Sequence, residues 1–127
     1  MKRSIVETKK APPPVGPYSQ AIQAGNMVFV SGQIALHPET NEIPKDFTAQ
    51  CHQVLKNLQA ILEASGSSLE HTVKVMIYLT DIDRFNELNE IYAGYLGSAK
   101  PARACVEVSR LPKGVLVEID AVALIGE

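Results

Sequence analysis

Alternation of apolar and polar positions marks the last third of the chain. In the stretch ARACVEVS (102–109), Ala102, Ala104, Val106 and Val108 share one face of a strand, and Arg103, Cys105, Glu107 and Ser109 share the other. A second run places Val117, Ile119, Ala121 and Ala123 in an apolar row, with Glu118 and Asp120 pointing away. The LPKG segment (111–114) between them carries turn residues, so the pattern predicts an antiparallel hairpin. A turn centred on Leu111 and Pro112 sets Cys105 near Glu118 and Arg103 near Asp120. A cation, a thiol and two carboxylates then gather on one patch of sheet. A slip of one residue would reverse the faces.

Upstream, the period changes. Phe47, Cys51, Val54, Leu55, Leu58, Ile61 and Leu62 recur at helical spacing, with Asp46 placed to cap the start and Gly66 to end it in a left-handed turn. A second helix carries Phe85, Leu88, Tyr92, Tyr95 and Leu96, capped by Asp81 or Asp83 and ended by Gly97 and Pro101. Residues 72–80 between them read as a strand, with Val73, Val75, Ile77 and Leu79 on one face and Lys74, Met76 and Tyr78 on the other. Ile5 and Val6 begin a short strand ahead of APPPVGPY (11–18), whose prolines exclude helix and central strand and make it an ordered arm. Residues 19–24 alternate weakly, and Gly25 and Asn26, the latter tolerant of positive φ, form a turn into Met27–Val30. Gly32 just beyond predicts a bulge or a close backbone approach.

The order ββ-α-β-α-ββ, with two amphipathic helices, predicts a two-layer α+β sandwich. Two helices cover only one face of its sheet. The other would expose Met76 and Tyr78, and a closed symmetric oligomer is the natural cover.

A chain of 127 residues, 46% apolar and 20% charged, fits a single domain spanning 1–127 with no repeat or linker to divide it. A net charge of −2 and a pI near 5.9 argue against a nucleic-acid module. The local cluster of Lys2, Arg3, Lys9 and Lys10 reads as a solvated terminus. No apolar run reaches membrane-spanning length, and the N-terminus shows no apolar signal core. Two cysteines fit thiols in a reducing compartment. The expectation is a soluble, cytoplasmic protein.

His37, His52 and His71 are far apart and no HExxH or CxxC spacing occurs, so each histidine reads as a surface or helix-face residue and no metal is expected. Ser65, Gly66, Ser67 and Ser68 follow a helix, whereas a phosphate loop opens one. No nucleophile-elbow context surrounds any serine. The polar row of the hairpin remains. Arg103, flanked by small Ala102 and Ala104, presents a fork that matches a carboxylate; an internal pair with Glu118 or Asp120 carries equal weight. A partly buried Glu118 would have a raised pKa and could act on a water. Cys105 lacks an activating neighbour, and Cys51 lies on the buried helical stripe. Tyr18, at the exit of the proline arm, either packs on the core or reaches into a pocket, and packing is the commoner role for a lone tyrosine.

Five short motifs occur in order: GPYSQA (16–21), VSGQI (30–34), NEIY (89–92), PAR (101–103) and VEIDAV (117–122). Each is weak alone. As an ordered set from about Ala11 to Ile125 they resemble the reactive intermediate deaminase family, RidA or YjgF. The resemblance implies a chorismate-mutase-like α+β fold assembled as a homotrimer, its sheets packed around a central barrel, with clefts between subunits. It implies hydrolysis of 2-iminobutanoate, 2-iminopropanoate and their enamine forms such as 2-aminoacrylate to 2-oxo acids and ammonia, with no cofactor. By position, Arg103 would grip the substrate carboxylate and Glu118 would orient or activate water. The backbone of Cys105 would lie against the ligand, and Tyr18, Ser31 and Asn89 would line the cleft. Asp120 stands where the family usually has Glu, and Asn41 where it often has Gly. Two other readings are a carboxylate-binding regulatory module without turnover and a translation inhibitor acting through RNA cleavage, which the acidic pI disfavours.

Overall fold

Asp46 opens the first helix by accepting a hydrogen bond from the Ala49 N–H at 3.0 Å, and helix α1 runs over Phe47–Ala64. It closes as its terminal residues predict. Gly66 takes φ 83°, and the Gly66 and Ser67 N–H groups donate to the Glu63 and Leu62 carbonyls at 3.1 and 2.9 Å. The computed structural model describes residues 2–126. Around α1 lie strands β1 (Arg3–Val6), β2 (Ala21–Ala24), β3 (Met27–Gln33) and β4 (Thr72–Leu79), then α2 (Phe85–Leu96), β5 (Ala102–Glu107) and β6 (Val117–Leu124). A turn of 3-10 helix begun by Asp81 leads into α2. The fold is a two-layer α+β sandwich: one six-stranded mixed sheet, in the order β1-β2-β3-β6-β4-β5, with both helices on one face.

The predicted hairpin does not form. Strand β4 lies between β5 and β6. It pairs in parallel with β5, Val75 beside Arg103 and Ile77 beside Cys105, and antiparallel with β6, Tyr78 beside Glu118 and Met76 beside Asp120. The cause is α2. A strand–helix–strand crossover returns the chain beside the strand it left, so β5 joins β4 and the LPKG turn must carry the chain across β4 to its far edge. Faces follow from register. Val75 and Ile77 are fully buried under the helices, which puts Arg103 and Cys105 on the helix side. Glu118 and Asp120, beside Tyr78 and Met76, lie on the open side. The two polar rows therefore occupy opposite faces of the sheet.

Two smaller expectations also change. In β4, Thr72 and Val75 are buried while Val73 is 37% exposed, because the β4–β6 register shifts between Thr72 and Lys74. Such a bulge turns successive side chains to the same face. In the β2–β3 turn, Gly25 adopts the positive φ of 62° and Asn26 does not. Asn41 does, at φ 61°.

The core sits between α1, α2 and the inner sheet face, where Leu55, Leu58, Ile61, Leu88, Ile77 and Ile119 are fully buried. On the outer face one cross-strand row runs Ile5, Ile22, Phe29, Val122, Lys74, Ala102 through successive pairings. Ile5 is 62% and Phe29 46% exposed, so this row is an apolar stripe open to water. Among the described residues no helix is long and apolar enough to cross a membrane.

Gly94, in the last turn of α2, is exposed, and a Cβ there would meet nothing within 4 Å. Gly94→Ala is expected to raise unfolding stability by about 0.5–1 kcal/mol, since alanine removes backbone entropy from the unfolded chain without a clash. Chemical denaturation monitored by circular dichroism checks it; a midpoint unchanged or lowered would contradict the reading.

Candidate functional site

The candidate side chains gather in two places. The first is the helix side of edge strand β5. Arg103 is half-buried, its Cζ 4.8 Å from the Tyr92 ring centroid and 5.4 Å from that of Phe85. Asn89 lies four residues after Phe85 and three before Tyr92, so α2 presents all three on one face. Cys105, two residues along β5, packs against the core. Burial pushes its thiol pKa up, against the opposing pull of the Arg103 charge, which keeps it protonated. Burial also raises the Tyr92 phenol, again opposed by Arg103. Among the described residues no carboxylate lies within ion-pair distance of Arg103. The internal pair with Glu118 or Asp120 is excluded by topology, because both acids are on the other face.

The second place is the open face of β6. Val30 pairs with Ala121 and Gln33 with Ile119, so Ser31 and Gly32 together oppose Asp120 in a bulge. The Glu118 carboxylate rests on Gly32: a Cβ added there would lie 2.1 Å from Glu118 Oε2 and 2.9 Å from its Cδ. The glycine thus marks both a bulge and a close approach. Tyr78 donates a hydrogen bond to Asp120 Oδ2 at 2.9 Å. Glu118 has a raised pKa, from burial first and the Asp120 charge second. Burial likewise raises Asp120, with the Tyr78 hydrogen bond and the Lys74 charge opposing.

The proline arm borders this second group. Buried Gln20 holds it, accepting from the Thr8 N–H at 2.7 Å and donating to the Thr8, Ala11 and Pro12 carbonyls. Ser31 Oγ donates to the Ser19 carbonyl at 2.6 Å, so that hydroxyl is engaged in fixing the arm. Tyr18 does not pack into the core. It is 49% exposed, its hydroxyl accepting from the Val15 N–H at 3.2 Å. It lines one narrow cleft with Gly32 and, on the outer side, an open hollow of about 860 Å³ with Ile5, Pro14 and Pro38.

The structure therefore brings Arg103, Cys105 and Asn89 together on one face, and Tyr18, Ser31 and Glu118 together on the other. Periodicity alone places Phe85 and Tyr92 on the core stripe of the helix. Their seven-residue spacing, opposite a strand that carries an arginine, is the signal that they meet a cation.

Comparison with known proteins finds relatives over nearly the whole chain. The profile of the family described as Endoribonuclease L-PSP matches residues 8–125. A RutC family protein of Pyrococcus horikoshii is 55% identical over 122 residues, covering 95% of this chain and 97% of its own. The crystal structure of RidA from an Antarctic Psychrobacter superposes with a TM-score of 0.93 at 47% identity, covering 96% and 99% of the two chains. Escherichia coli TdcF, crystallised with bound serine, gives 0.92 at 41% identity over 97% and 99%. With this coverage and identity, the chain belongs to the RidA/YjgF family, whose profile carries the L-PSP description.

Proposed function

We propose that this protein is a cofactor-free deaminase of small 2-imino acids, a 2-iminobutanoate/2-iminopropanoate deaminase, working as a homotrimer with its sites between subunits. The observation that carries the reading is Arg103, a half-buried guanidinium seated on aromatic rings with no carboxylate partner among the described residues. A cation so placed is suited to an anionic ligand, and its fork fits a carboxylate in two hydrogen bonds. The serine bound by TdcF has the same carboxylate and adjacent nitrogen as a 2-imino acid.

Arg103 and Glu118 sit two strands apart and three residues out of step along them, about 14 Å in all, on opposite faces, so one chain cannot close both on a small acid. A second copy packed on the open face and reaching round the sheet edge at β5 would bring its Glu118 and Tyr18 towards the first copy's Arg103. The apolar stripe through Ile22, Phe29 and Val122 supports that packing.

In this site Arg103 holds the carboxylate of the imine, and an enamine substrate first takes a proton at carbon to become that imine. Its C2 is already electrophilic. Glu118 accepts a proton from water as the oxygen adds to C2 of the nitrogen-protonated imine, giving a neutral carbinolamine. It returns that proton to nitrogen and takes the hydroxyl proton as C=O forms and the C–N bond breaks, so the 2-oxo acid and ammonia leave, and the ammonia carries off the last proton as ammonium. A carboxyl with a raised pKa suits both steps. No thiolate or metal is called on.

The test is release of ammonia and 2-oxo acid from 2-aminoacrylate or 2-iminobutanoate generated in situ. Wild type is expected to exceed the buffer rate, and Arg103→Ala to fall towards it. Equal rates for both proteins would defeat the assignment, and tight binding of a 2-oxo acid without turnover would establish the regulatory module in its place.

A further inference from the structure

Tyr92 is buried, and its hydroxyl is one of two buried side-chain polar atoms with no hydrogen-bond partner among the described residues. A phenylalanine would fill the same volume without that orphan. What the ring does touch is Arg103, whose guanidinium lies over it at 4.8 Å with Phe85 at 5.4 Å. Both distances are within cation–π range. Phe85 and Tyr92 stand at the two ends of one helical face, two turns apart, and β5 runs alongside. With its Cζ over two rings and no carboxylate partner among the described residues, the guanidinium has N–H groups to offer, and those are what a carboxylate needs.

We infer that Tyr92, with Phe85, is a positioning residue: the two rings form a seat that fixes the orientation of the Arg103 guanidinium for its anionic ligand. This rests on the deaminase reading for the identity of the ligand, a small 2-oxo or 2-imino acid. The seat gives the arginine packing partners where it has no carboxylate partner among the described residues. It also makes arginine, with its planar head, irreplaceable by lysine at this position, because an ammonium cannot use both rings in the same way.

The experiment measures 2-oxobutanoate affinity by calorimetry and KM and kcat by turnover, on the assembled protein. Tyr92→Leu is expected to raise Kd and KM about tenfold while kcat falls less than about threefold, because the carboxylate is held equally in ground and transition states. Tyr92→Phe keeps the seat and is expected to bind within about twofold of wild type. In an Arg103→Lys background, which is itself expected to bind weakly, adding Tyr92→Leu should cost little more, since the ring acts through the guanidinium. If Tyr92→Leu fails to fold, Phe85→Leu carries the same test. Wild-type affinity in the leucine variant overturns the seat, as does a Tyr92→Phe loss equal to that of leucine or full additivity with Arg103→Lys. A wild type that binds no 2-oxo acid overturns the deaminase reading and the seat's role together, a result distinct from the others.

Discussion

Gly32→Ala is expected to lower kcat by about 10²-fold or more while the protein stays folded and assembled. An alanine Cβ would sit 2.1 Å from Glu118 Oε2 and 3.3 Å from its Cγ, well inside contact distance. The atoms in the way belong to a side chain with rotatable bonds, so the backbone need not move and the carboxylate is pushed aside. Displacing a proton-transfer group by about 1 Å can cost as much as deleting it. Steady-state ammonia release measures the effect, with Glu118→Gln as reference. Adding Gly32→Ala to Glu118→Gln should then change little, since both remove one function. A single alanine variant with near wild-type kcat would mean that Glu118 is not the group acting on water.

Phe29→Lys is expected to give a folded monomer without turnover. Phe29 lies mid-stripe between Ile22 and Val122 on the open sheet face, and the core beneath it is made by Val28 and Val30 pointing the other way. Placing an ammonium in a closing interface without a partner strands a charge away from water, a penalty of several kcal/mol repeated in each copy. Sedimentation checks the mass, circular dichroism the fold, and the deaminase assay the site. The site and the assembly are expected to fail together, because Arg103 and Glu118 of one chain face opposite ways. A monomer that still turns over substrate would sink the shared-site reading, and a wild type already monomeric would remove the trimer.

What the sequence made legible was what local periodicity controls. Both helices, their ends at Asp46 and Gly66, the β6 core face and the bulge at Gly32 were all readable from spacing and residue type. Pairing was not. The LPKG turn between two alternating runs carries every local sign of a hairpin, yet β4 takes the place between them because the α2 crossover decides which strand lies beside which. Once β4 intervenes, Arg103 and Glu118 fall on opposite faces, a result that no window of ten residues contains. Val73 shows the same limit on a smaller scale, its alternation broken by a bulge against β6. Tyr92 was read as core, which its burial bears out, but its neighbour across the layer was invisible without the crossover.

One consequence concerns self-protection. Burial pushes the Cys51 pKa up to about 12, and Cys105 is raised as well beside the arginine that could have activated it. Thiolates are the groups that electrophiles modify first. On the proposed deaminase reading, a protein that meets electrophilic imines at every turnover carries both its thiols in the unreactive protonated state, and each encounter is expected to end in hydrolysis with no thiol adduct on the protein itself.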